Sequence, residues 1–178
     1  MRRIVIGFVV FCALVVLAGC GGSESTTTTA RETTTTAAEI DKTKFTDAWR
    51  SLMAIEGATT VGVKYADLQA LVQDFATELA LLPQELTRDE SLVASKLADT
   101  CLAYDDSLYL WELEIKFAKY DAYDGGLIPY VAENQHMVSK YGLSFVPGDS
   151  KKLQANSIQR VWSYASGLTD ELRPSVAP

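Results

Sequence analysis

The chain holds one histidine, His136, and any chemistry that needs an imidazole must use it. It closes the run Glu133-Asn134-Gln135-His136. Glu-x-x-His puts a carboxylate and an imidazole one helical turn apart, the spacing with which carboxylate-bridged metal bundles aim ligands inward. Such a centre needs the motif twice and two further glutamates, so one histidine cannot complete it within a subunit. Glu133 and His136 stand as metal candidates against the plainer reading of a solvated pair. A Ser-His-Asp or Cys-His arrangement would need the same histidine as its base. The sequence contains no Gly-x-Ser-x-Gly elbow, no phosphate-cradling glycine loop and no Cys-x-x-Cys, and implies no cofactor.

Carboxylates are the other reactive groups. Asp105, Asp106, Glu112 and Glu114 crowd one stretch, and neighbouring acids can divide acid and base work where burial separates their pKa values. On a helical wheel Glu114 falls between two apolar stripes, near Ser107, and is the acid expected to be partly buried. Tyr104, Tyr109, Trp111, Phe117, Tyr120, Tyr123 and Tyr130 lie in or beyond the same stretch. Most fit a core at helical spacing. Tyr109, Tyr120 and Tyr123, nearest a polar edge or the Gly125-Gly126 end, join Glu114 as candidates for binding a ligand or partner. Cys101 falls on an apolar stripe, where a cysteine acts as a small buried hydrophobe.

These residues require long helices to position them. Thr87-Arg88-Asp89-Glu90 reads as a capping box, and neither proline nor glycine intervenes before Gly125-Gly126. A helix of that span is roughly 50 Å long and suits the central post of a bundle. Leu97, Cys101, Tyr104, Leu108, Trp111, Ile115 and Ala118 form one stripe along it. Leu110, Leu113, Phe117 and Tyr120 form a second. A helix apolar on two sides is packed from two sides.

Before the post, Phe45, Trp49, Leu52, Met53 and Glu56 step at helical spacing towards Gly57. Leu68, Leu71, Val72, Phe75, Leu79 and Leu82 then mark a helix from Tyr65 to Leu82, stopped by Pro83. After the post, a fourth helix is expected from Pro129 to Gly142 and a fifth from near Ser150. Pro147-Gly148 lies in the loop between them. Residues 173–178 read as a frayed tail, and no segment shows a convincing period of two. The expected fold is all-α, with about five helices in an up-and-down, bundle-like arrangement around one long central helix over residues 40–172.

The N-terminus sets an address. Met1-Arg2-Arg3 is basic, Ile4 to Leu17 is almost unbroken apolar sequence, and Leu17-Ala18-Gly19-Cys20 follows. The run has the form of a secretory signal and is short for a membrane span. These residues resemble a bacterial lipoprotein signal peptide with its lipobox. The resemblance covers the first twenty or so residues and implies cleavage after Gly19 and a diacylglyceryl group on the Cys20 thiol. Two acyl chains suffice for stable anchoring, at about 0.8 kcal/mol per buried CH₂. Residues 20–39 then form a tether, with Thr26 to Thr29 and Thr33 to Thr36 as two runs of four threonines and few apolar residues to bury.

Net charge is −7, and without the first nineteen residues 14 basic side chains face 23 acidic ones. That balance, with no basic run beyond Arg3, argues against nucleic acid and against electrostatic docking on anionic lipid. With Cys12 in the signal and Cys20 lipidated, Cys101 has no partner for an internal disulfide. The expectation is an extracytoplasmic protein held to a bacterial membrane through lipid on Cys20. Its helical domain would bind or scaffold an envelope protein or cell-wall partner. The competing reading is a metal-dependent or acid/base enzyme using Glu133 and His136 or the carboxylates around Glu114.

Overall fold

A computed structural model describes residues 39–118 and 127–178. Its helices are α1 (Thr46–Val61), α2 (Tyr65–Ala80), α3 (Arg88–Ala118), α4 (Gln135–Tyr141) and α5 (Ser157–Val176). Three short strands, β1 (Ile128–Pro129), β2 (Phe145–Val146) and β3 (Asp149–Leu153), complete a mostly all-α fold of five helices around the long α3. At 31 residues, α3 is about 45 Å long. It packs on α2 and α5, while α1 packs on those same two helices from the opposite side. The four long helices therefore run round a square, with α1 and α3 on its diagonal. Phe45, Leu52, Ile55, Leu68, Phe75, Leu97, Tyr104 and Val161 fill the centre and are completely or almost completely buried.

The start of α3 follows the sequence closely. Thr87 Oγ1 accepts from the Glu90 amide at 3.3 Å, and Glu90 Oε2 accepts from the Thr87 amide at 2.8 Å, closing the capping box. Glu90 is only 1% exposed. Its carboxylate also takes Lys44 Nζ at 2.7 Å and the Asp41 amide at 3.2 Å, tying the 3₁₀ turn Lys42–Phe45 to α3.

Other boundaries differ. Helix α1 passes through Gly57 to Val61 and stops at Gly62, whose φ of +93° suits glycine. Helix α2 ends at Ala80 rather than Leu82. The described part of α3 ends at Ala118; Gly125 and Gly126 lie outside the described residues.

The largest correction concerns residues 128–156, where two helices were expected to cover more of the chain. Pro129 belongs to β1, opposite Lys152, and α4 has only seven residues. Asn134 explains the late start. Its side chain accepts from the Val131 amide at 2.9 Å and donates to the Pro129 carbonyl at 2.8 Å, so it holds a turn where a helix would need those groups. Strands β2 and β3 form a hairpin through Val146-Pro147-Gly148-Asp149, with Gly148 at φ +83°. Proline followed by a positive-φ glycine is the type II turn pattern. Strand β3 lies at the centre of the antiparallel sheet β1-β3-β2, and α5 accordingly starts at Ser157, not near Ser150.

The expected frayed tail is instead the last turn of α5. Leu172 and Val176 are each 1% exposed, and Lys42 Nζ donates to the Ala177 carbonyl at 2.8 Å. Burial and this clasp hold the end in place despite Pro174. Among the described residues, no helix is long and apolar enough to cross a membrane.

Candidate functional site

Three groups of polar side chains lie within the helical body, each on the face of a helix that meets a neighbour. The first centres on Glu56 of α1. Tyr104, fully buried on α3, donates its hydroxyl to Glu56 Oε1 at 2.5 Å. Ser166 of α5 donates to Oε2 at 3.1 Å. The Thr169 hydroxyl, which donates to the Ala165 carbonyl at 3.0 Å, lies 3.4 Å from Oε1. No cation pairs with Glu56 among the described residues. Burial and the neighbouring carboxylate push the Tyr104 phenol well above its ordinary value, so it serves as a donor and not as a base.

The second group centres on Asp106 of α3, which is 7% exposed. Tyr141 donates its hydroxyl to Oδ2 at 2.5 Å, Lys140 Nζ lies 3.5 Å from Oδ2, and His136 Nε2 lies 3.9 Å from Oδ1. All three partners come from α4, at spacings that bring them to one side of its two turns. Burial first, and the Asp106 carboxylate second, raise the Tyr141 phenol out of reach of ordinary titration. Tyr164 of α5 meets the Tyr141 ring edge-on, with centroids 5.0 Å apart.

The third is an aromatic ladder from α2 through α3 to α5. Tyr65 meets Trp111 edge-on at 5.7 Å, and Trp111 meets Trp162 at 5.9 Å. The Trp162 indole donates to Ser107 Oγ at 2.9 Å, and Ser107 donates to the Tyr104 carbonyl at 2.7 Å. Ser107 therefore faces an adjacent helix. Its proton is used and one of its two accepting positions is filled.

The residues expected to carry function fall as follows. Glu114 is half-buried and its carboxyl is raised by that burial, but no hydrogen bond or ion pair holds it among the described residues. Tyr109 is half-buried and packs against the core. Tyr120 and Tyr123 lie outside the described residues, as do Cys20 and the signal and tether segments. Glu133 is exposed, and the acid nearest His136 is Asp106, from another helix. No three His, Cys, Asp or Glu side chains gather to hold a metal among the described residues. Cys101 is half-buried and unpaired, and burial pushes its thiol up to about 12, with Asp105 adding to the rise. That is the setting of an inert thiol. Asp105 is also raised, by burial and then by Asp106.

Sequence reasoning placed Glu56 on the first helical stripe and Asp106 among the crowded acids, but assigned neither a partner. Glu56 carried a signal, since it continues the helical stripe Phe45-Trp49-Leu52-Met53 and so had to face inward. Asp106 carried none towards its partners, because His136, Lys140 and Tyr141 lie thirty or more residues away. Compared with protein-family models, with curated proteins and with solved structures, the chain matches none.

Proposed function

We propose that this chain is a lipid-anchored cell-envelope protein whose helical domain binds or scaffolds a partner and catalyses no reaction. One observation supports the non-catalytic reading above the others. The carboxylates of half-buried Glu56 and of buried Glu90 and Asp106 each accept bonds from donors on other segments of the fold. Those bonds join segments of the fold. A general acid or base needs a reacting proton within hydrogen-bond reach and a pKa near the working pH. The phenols of Tyr104 and Tyr141, raised far out of range, answer neither need.

The anchor reading rests on Leu17-Ala18-Gly19-Cys20 and the basic and apolar residues before it. Metabolic labelling with an alkyne-tagged fatty acid tests it. The full-length protein takes up label and Cys20→Ala does not; label that survives the substitution overturns the anchor. Metal analysis tests the competing enzyme. Stoichiometric metal in the purified protein, lost in His136→Ala, would replace the binding reading with a metal-dependent one.

A further inference from the structure

We propose that Lys140 and Asp106 condense to an amide, an internal cross-link that fastens α4 to α3 covalently. The two side chains stand as reactants would. Lys140 Nζ lies 3.5 Å from Asp106 Oδ2, which sets the amine against the carboxyl group in place of a chance encounter. Both side chains are largely withdrawn from water, at 28% and 9% exposed. Tyr141 donates its hydroxyl to the same Oδ2 at 2.5 Å, and His136 Nε2 lies 3.9 Å from Oδ1. A carboxyl group, an amine, a fixed donor and an imidazole therefore meet at one place.

The step balances without an outside reagent. One ammonium proton passes to Oδ1, leaving an amine beside a carboxylic acid. Burial favours that exchange, because it removes two charges from a site with little water. The nitrogen then attacks Cγ, and the Tyr141 hydroxyl holds Oδ2 while negative charge grows there. The C–N bond forms, and a second proton leaves the nitrogen for Oδ1. His136, on the Oδ1 side and one helical turn from Lys140, is the base placed to carry that proton, and it ends unchanged. The Cγ–Oδ1 bond breaks, water departs, and Oδ2 remains as the amide carbonyl. The reaction occurs once in each chain and turns over nothing, so it sits beside a non-catalytic role.

The cross-link falls where the fold has use for one. Among the described residues Cys101 is the one cysteine and it is unpaired, so no disulfide staples them. Helix α4 has seven residues, too few to hold a helix in water unaided. An amide from Lys140 to α3 ties it down. Unlike an ion pair, that tie is not weakened by salt or by protonation of Asp106.

Mass spectrometry of the full-length protein, purified folded and then denatured and digested with trypsin, tests this. Trypsin does not cut after an acylated lysine. The cross-link therefore yields a branched peptide joining residues 97–116 to residues 120–151, lighter by one water than its two parts. Lys140→Arg keeps the positive charge beside Asp106 and removes the amine. Its digest should give residues 97–116 and 120–140 as separate linear peptides. Tyr141→Phe keeps the ring and removes the donor on Oδ2, and should slow formation of the branched peptide by about a hundredfold while helical circular dichroism is unchanged. The proposal is overturned if the wild-type protein gives only the linear peptides. It is equally overturned if the same loss of water persists in Lys140→Arg.

Discussion

Tyr104 on α3 reaches across the diagonal of the helical body and donates its hydroxyl to Glu56 on α1 at 2.5 Å. The backbones of these two helices are kept apart by α2 and α5. The bond therefore links the two members of the square that do not otherwise pack closely. Among the described residues no cation pairs with this half-buried carboxylate, and hydroxyls from two helices satisfy its inward side. Its donors also fix the rotation of α1 and α5 about their axes, which apolar packing alone leaves less tightly defined.

Ser107 and Trp162 form a neutral bond between α3 and α5. Ser107→Ala leaves the Trp162 indole N–H without its acceptor and the Tyr104 carbonyl without one donor. A loss of about 1–3 kcal/mol is expected in urea unfolding. Trp162 fluorescence should shift as well. An unchanged unfolding midpoint would mean that water replaces the serine.

Glu90 predicts an acid dependence. Lys44 first, then the Thr87 amide, hold its carboxyl down to about 2 from an ordinary 4.5. A folded-state value below the unfolded one means stability that is fully present above pH 4.5. That stability is lost as pH falls from there towards 2. Glu90→Gln should remove this part of the acid dependence and flatten stability against pH between those values. A variant with the same acid profile as the parent would show that Glu90 does not link folding to protons.

Cys101 should resist modification. With its thiol pushed up to about 12 and half-buried, the reactive thiolate is scarce at neutral pH. A thiol reagent should react slowly with the native protein and quickly in denaturant. Equal rates would contradict the packed position.

The hairpin depends on Gly148. Its φ of +83° is costly for any residue with a Cβ, although a Cβ there would meet nothing within 4 Å. Gly148→Ala should destabilise residues 145–153 by about 1 kcal/mol through backbone strain alone. Hydrogen exchange of the β3 amides reads this, and unchanged exchange would place the strain elsewhere.

The sequence carried the long helices and lost the small sheet, for a physical reason. Helix α3 has a two-sided apolar pattern, a capping box and no breaker across thirty-one residues, and each of those signals is local. Strands β1 and β2 are two residues long, too short for a period of two to show. Only Val146-Pro147-Gly148-Asp149 announced the hairpin, as a type II turn flanked by short runs. The core was readable at Leu97, Tyr104 and Leu108, where the periodicity required burial. The polar sites were less readable, because Asp106 meets Tyr141 and Glu56 meets Ser166 across long sequence separations. Ser107 was named as a neighbour of Glu114, and its true partner proved to be Trp162.

The claim that acids bonded between helices hold the fold together is tested most directly by a double-mutant cycle on Glu56 and Tyr104. Unfolding free energies of the parent, Glu56→Gln, Tyr104→Phe and the double variant should give a coupling of about 1–3 kcal/mol. Additive effects, with coupling near zero, would contradict it.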